Sequence, residues 1–458
     1  MAATPHPEAE RIRQLLRSRG RLAAADLLQT LEISRPTLGR LVTADPSIVR
    51  LGKARATQYA LRHEIRGESQ WPLYRMRPDA RIEPLGTLLA LDRGEFALES
   101  TQPRPVLMHP PFERGIYPDV PWFLDDLRPN GFLGRTYAHR VAEELRVPSD
   151  LKVWNAGHII AALLHGGSTQ SGDLILGDQA MARALRELRD PPDRVEGADR
   201  LARYPQFAAE VLRGEPPGCS PGGEQAKFTA TVEDGSAQHA VIVKFSHGDD
   251  SPAARRWATL LRCEALAASV LASRGIAAAE TSLLESNGQL FLESRRFDRT
   301  PGLGRRGFIS LAALDAAFYG EASISWWRFA DMLERDGWLG ADDALALRRV
   351  SWFGALIDNT DMHLGNFGLM LDEALPLSVA PVYDMLPMRL RPTSQGTVVA
   401  REYVVPVPVA GQYEHWRWAA EAALEFWQRV QGTAQIEPEV QAFAQRAASE
   451  IRQLANHL

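Results

Sequence analysis

Apolar residues recur at helical spacing over residues 8–19, where Ile12, Leu15 and Leu16 share one face, and Gly20 closes the predicted helix. Residues 23–31 repeat the pattern, and Ser34 is placed to cap a third helix over residues 34–42. Residues 47–62 change to a strand, a basic turn and a second strand. From residue 72 to 135 the pattern is of short strands broken by prolines, and helices are expected at 137–145, 153–167, 180–189 and 206–213. Strand-like runs then appear at 227–232, 239–245 and 288–294, with a long helical stretch starting at Arg255 between the last two. Two short apolar runs, Phe367 to Leu371 and Leu377 to Val382, flank a polar turn. The aromatic cluster at 325–338 has the spacing of helical core, and 411–430 and 438–458 are amphipathic helices.

With 458 residues the chain is too long for one domain. Residues 1–66 carry 12 Lys and Arg against 6 Asp and Glu, so +6 within a chain of net charge −5, and the rest carries −11. A small basic module on an acidic body is the electrostatic footprint of a DNA-binding domain. Ser34, Arg35, Thr37 and Arg40 on the third helix, with Lys53 and Arg55 in the basic turn, are the candidate DNA contacts of a winged helix-turn-helix. Winged-helix regulators often bind as dimers, so a homodimer is compatible with this reading. The polar stretch 62–71 is expected to be a linker. No run approaches 18 apolar residues and the N-terminus has no signal-peptide pattern, so no membrane partner is expected. Cys219 and Cys263 lack metal-binding spacing and fit a reducing cytoplasm.

Chemistry concentrates in DNTDMHLGNFG, residues 358–368, where Asp361 and Asn366 lie five apart, and in Asp384 beyond the next hairpin. This is the polar pattern of phosphoryl transfer: one Asp for the acceptor hydroxyl, an Asn and a second Asp for Mg²⁺. His363 between them is expected to order the loop and to border the nucleotide. Lys244 ends a strand and would face the phosphates of ATP, and Glu264, twenty residues on, could pair with it. Upstream, Gly222 and Gly223 would let backbone approach phosphate, with Ser220, Gln225 and Lys227 beside them. Glu293 and Arg296, in the segment 288–299, are placed with the nucleotide site as part of a hinge.

The chain resembles the HipA-like Ser/Thr kinases, toxins of bacterial toxin–antitoxin systems. The resemblance rests on SPGGEQAK, IVKF, RRFDR, NTDMHLGNFG and APVYDML, in order from about Pro217 to Arg389, and on YPDVPWFLDDLRPNGFLGR at 117–135. It implies an α+β, two-lobed protein-kinase-like fold, here preceded by the winged helix as in the YjjJ-type branch. The expected division is 1–66 for DNA binding, 67–216 for the N-terminal subdomain, 217–297 for the kinase N-lobe and 298–458 for its C-lobe. By resemblance Asp361 is catalytic, Asn366 and Asp384 hold Mg²⁺, and Lys244 holds ATP. Ser220 matches the loop serine whose autophosphorylation silences the family. The protein substrate would be an aminoacyl-tRNA synthetase or another protein of translation or DNA metabolism, and the outcome growth arrest and persistence. One departure is that residues 308–318 keep only Asp315 of the family's usual acidic segment. Two other readings remain: a transcriptional regulator that senses nucleotide, and a Mg²⁺-dependent nuclease.

Overall fold

The structure, a computed structural model, describes residues 7–100, 102–166, 170–213, 225–235 and 237–458. Ser220, Gly222, Gly223 and Cys219 lie outside them.

The N-terminal module runs α1 (Pro7–Arg19), β1 (Leu22–Ala23), α2 (Ala24–Leu31), α3 (Arg35–Ala44), β2 (Ile48–Leu51) and β3 (Gln58–Leu61), with strand order β1-β3-β2. Ile12, Leu16, Leu27, Leu31 and Leu38 make its core, as their spacing requires. Ser34 caps α3 by accepting from the Thr37 amide at 3.3 Å. The hydroxyls of Ser34 and Thr37 also bond each other at 2.9 Å. Arg35, Arg40, Lys53 and Arg55 are exposed.

The expected linker is instead a tight junction. Val49, Leu51 and Ala60 pack against Leu89, Leu91 and Ala97 of the next sheet. Ile65 is buried, and the His63 amide donates to the Ala90 carbonyl at 3.0 Å. Polar composition misled here, because one buried isoleucine and backbone pairing suffice to order ten residues.

The middle region is a five-stranded antiparallel sheet of β4 (Gln70–Met76), β5 (Ile82–Ala90), β6 (Phe96–Glu99), β7 (Ile116–Tyr117) and β8 (Leu174–Leu176), ordered β7-β6-β5-β4-β8. Three helices, α4 (Gly131–Val141), α5 (Ala156–His165) and α6 (Asp178–Glu187), accompany it.

A second five-stranded sheet forms the upper wall of the cleft. Its strands are β9 (Arg194–Glu196), β10 (Lys227–Asp234), β11 (Ala237–Phe245), β12 (Thr281–Ser286) and β13 (Gln289–Arg295), ordered β12-β13-β11-β10-β9. Here β9 runs parallel to β10, and α7 (Arg200–Arg213) buries Tyr204 and Ala208 against Phe228, Val243 and Phe291. The boundary expected at 216 therefore falls inside a packed unit, since β9 and α7 belong with this sheet.

Helix α8 (Pro252–Ser273) crosses its other face. Below lies the short three-stranded sheet β14 (Ile309–Ser310), β15 (Gly368–Met370) and β16 (Ser378–Val379). Helices α9 (Leu311–Phe318), α10 (Trp326–Arg335), α11 (Ala341–Leu356), α12 (Tyr413–Gly432) and α13 (Pro438–His457) complete the lower body. Trp326, Phe329, Trp338, Trp416 and Trp427 are fully buried there, as the helical reading of the aromatic clusters requires. No described helix is long and apolar enough to cross a membrane.

Candidate active site

Strand periodicity aims the cleft's cation. Along β11, Val241, Val243 and Phe245 point into the core with α7, so Ile242 and Lys244 must point to the opposite face. Lys227 is the direct cross-strand partner of Lys244 and lines the same cleft. On α8, Glu264 meets Lys244 with both carboxylate oxygens, at 2.6 and 2.8 Å. The Lys244 ammonium also contacts the carboxylate of Asp384. Burial opposes the charge on Lys244, but Asp384 and Glu264 outweigh it and hold its pKa above the ordinary lysine value. Burial likewise opposes ionisation of Asp384, yet Lys244 and Lys227 bring its pKa down to about 2.

The loop beneath is self-braced. The Asn359 side chain accepts from the Asp361 amide at 3.1 Å and donates to the Asp384 carbonyl at 3.3 Å, joining the two acidic residues through one amide. Asn366 Nδ2 donates to the Asp361 carbonyl at 2.8 Å. His363 Nδ1 accepts from the Gly365 amide at 3.1 Å, so this histidine orders the loop, and its ring borders the cleft. Tyr383 donates to the Gly365 carbonyl at 3.0 Å, tying the segment before Asp384 to the turn before Asn366. Gly354 on α11 lets the side chains of Met362 and Met385 pack closely against the helix. Asp358 and Asp384 both adopt left-handed backbone, at φ 59° and 53°, which aspartate tolerates better than most residues.

Asp361, His363, Asn366, Asp384, Lys244 and Lys227 all line one cleft of about 680 Å³. Their donors suit Mg²⁺. The hydrogen bond donated by Nδ2 of Asn366 fixes that side chain's flip and leaves Oδ1 as its available oxygen. Asp384 is ionised, and hard oxygen ligands from one carboxylate and one amide are what Mg²⁺ takes alongside phosphate and water.

One expected residue takes another place, and two border the cleft with their side chains engaged in structural bonds. Glu293 lies opposite Val243 in the β11–β13 ladder, so it points to the α7 side, away from the cleft. There it accepts from Tyr204 at 2.5 Å and pairs with Arg200 at 3.0 Å. Arg296 borders the cleft, but its guanidinium is engaged by Asp298 at 2.8 and 2.9 Å and by the Gln170 carbonyl at 2.8 Å, holding the hinge to the middle region. Gln225 donates to the Phe245 carbonyl at 2.5 Å, bracing the start of β10 while lining the cleft. Asp315 closes α9 by accepting from the amides of Glu321 and Ala322.

Sequence reasoning missed Asp126. It comes from the middle region, accepts from the Ser310 amide at 2.5 Å and lines the cleft, and burial raises its pKa to about 6. Only the paired aspartates within an apolar stretch hinted at it.

A two-lobed cleft, with a strand lysine paired to a helix glutamate above an Asp–Asn loop, defines a protein-kinase-like class. Residues 219–456 match the family described as HipA-like C-terminal domain, and residues 67–185 match YjjJ-like toxin, middle domain. The chain belongs to the HipA-like family, in its YjjJ-like toxin branch. It is 33% identical over 438 residues to Toxin YjjJ of Escherichia coli strain K12, covering 95% of this chain and 96% of the relative. Its fold is similar to a chain of the Shewanella oneidensis MR-1 complex of HipA, HipB and operator DNA, with TM-score 0.51 and 13% identity over 84% of this chain and 97% of that one.

Proposed function

We propose that this chain is an ATP-dependent Ser/Thr protein kinase acting as a growth-arresting toxin, with DNA binding built into its N-terminus. The observation that carries the reading is the triad of buried Lys244 and Glu264 with the half-buried Asp384, set in one cleft with Asp361. A strand lysine held by a helix carboxylate is the pair that protein kinases require to hold ATP phosphates.

In this reading Lys244 and Lys227 hold the phosphates of ATP, and Glu264 keeps Lys244 from collapsing out of line. Asp361, fixed through the Asn359 amide, orients the acceptor hydroxyl and takes its proton. Mg²⁺, when held by Asn366 and Asp384, supplies neutralisation of charge on the transferring phosphoryl oxygens. The middle region's Asp126 and the Arg296–Asp298 pair shape the cleft walls. Arg35, Arg40, Lys53 and Arg55, all exposed on a basic module, would contact operator DNA; Ser34 and Thr37 act mainly by building the start of α3. The complex of HipA with HipB and DNA in the Shewanella protein supports a link between kinase and operator, here carried by one chain.

The test is intact mass after incubation with Mg²⁺ and ATP, beside Asp361→Ala. A phosphate gained by the wild type alone, mapped to Ser220, is the expected result. ATP binding with no transfer to the chain itself or to any lysate protein would instead favour a nucleotide-sensing regulator.

A further inference from the structure

Beyond Asp384 the chain borders the cleft with Leu386, Met388 and Arg391 and, apart from a 3-10 turn at Met388–Leu390, has no helix or strand as far as α12. It is nevertheless held firmly. Arg256 donates to the Leu390 carbonyl at 3.1 Å, buried Tyr403 donates to the Leu356 carbonyl at 2.9 Å, and Trp416 donates to the Pro406 carbonyl at 2.8 Å. Between the first two anchors a turn closes on itself, with the Thr393 amide donating to the Thr397 carbonyl at 2.9 Å and the Gly396 amide to the Thr393 carbonyl at 2.9 Å. These bonds preform an open pocket of about 480 Å³ lined by Thr360, Arg389, Arg391, Thr393, Ser394 and Arg401.

The pocket is joined to the reacting centre. Thr360 is the neighbour of Asp361 in the chain, and Arg389 pairs with Asp358 at 2.8 Å, three residues before Asp361. Arg391 lines both this pocket and the main cleft. Arg391 and Arg401 are exposed, and neither has an ion-pair partner among the described residues. With Arg389 already engaged by Asp358, the two unpaired guanidinium groups of Arg391 and Arg401, against no carboxylate among the described residues of the lining, make a site for an anion. The same strap then exposes Val399, Val404, Val407 and Val409, with Val404 75% and Val407 62% accessible. Exposed valines next to an arginine pocket suit a polypeptide better than a phosphate backbone, which offers nothing apolar to them.

We infer that this pocket selects the protein substrate: it takes an acidic side chain flanking the acceptor Ser or Thr, while the valines of the strap receive apolar residues further along the same segment. The inference rests on the kinase reading for what the bound segment undergoes, but binding itself can be measured without transfer.

The experiment uses the full chain and two short serine peptides, identical except that residues flanking the serine are aspartate in one and asparagine in the other. Fluorescence anisotropy reads affinity, and phosphate transfer is followed in parallel. The aspartate peptide is expected to bind about tenfold more tightly, as a charge held by two guanidinium groups would. In Arg391→Ala/Arg401→Ala that ratio should fall to near one, and Arg391→Lys/Arg401→Lys should keep part of it. Equal affinity for both peptides, a preference unchanged in the double alanine variant, or binding of duplex DNA at these arginines in place of the peptide, overturns the inference. Preference without transfer counts against the kinase reading and leaves the pocket standing; transfer without preference does the reverse.

Discussion

Lys227 and Lys244 stand directly opposite each other on neighbouring strands, both facing the cleft. Like charges so placed repel. The arrangement holds because Glu264 and Asp384 close on Lys244 from below, one from α8 and one from the segment after the lower hairpin. Four charges from four separate parts of the chain therefore depend on one another.

Removing the central cation should unbalance them. Lys244→Met leaves Glu264, which is buried, and Asp384 without their ammonium, a loss of about 3–5 kcal/mol for breaking a buried pair. The deficit should shrink on mild acidification, as the stranded carboxylates take up protons. Urea denaturation of wild type and variant at neutral and acid pH checks both parts; a deficit constant with pH counts against the triad as the cause.

Asp384 sets an acid limit. Its pKa is held near 2, below the ordinary 3.8, so the fold favours the ionised form. The stabilisation is therefore full above about pH 4 and is lost as pH falls toward 2. Lys244, raised above 10.5, stays charged throughout that window and contributes nothing to the change. Melting temperature against pH should show wild type losing its advantage over Asp384→Asn across this interval, whereas parallel curves would contradict the assignment.

Asp361→Ala should reduce phosphate transfer by about 10²- to 10⁴-fold, the usual range for losing a positioned acid–base group. Its amide, not its carboxylate, holds the loop to Asn359, so the melting temperature should barely move. A large drop in stability would mean that the carboxylate is structural.

On the N-terminal module, Arg35→Ala and Arg40→Ala should weaken DNA binding. Each should also lower the slope of log affinity against log salt by about one, the share of a single guanidinium that neutralises a phosphate. Ser34→Ala should leave that slope alone and cost about 1 kcal/mol of stability, because its oxygen caps α3. Filter binding across a salt series, with thermal melts beside it, separates the two.

Much of this was legible along the chain because it depends on local periodicity. The α1 face, the Ser34 cap, the direction of Lys244 and the Asp361–Asn366 spacing all follow from helical or strand period and short-range bonding. Alternation also contained the correction for Glu293, which sits on the wrong parity of its strand once paired with Val243. Other features arise between distant segments, and no local pattern encodes them. Asp126 reaches the cleft from a 3-10 turn of the middle region, β9 and α7 join the upper lobe from across the expected boundary, and the supposed linker is pinned by a neighbouring strand. The pocket of Arg391 and Arg401 likewise exists only because anchors from α8, α11 and α12 hold an otherwise irregular strap in place. Thus the sequence alone determined which side chains could do the chemistry, through period and spacing. Tertiary packing decided which of them share a cleft, because long-range register and burial, not propensity, set the distances between them.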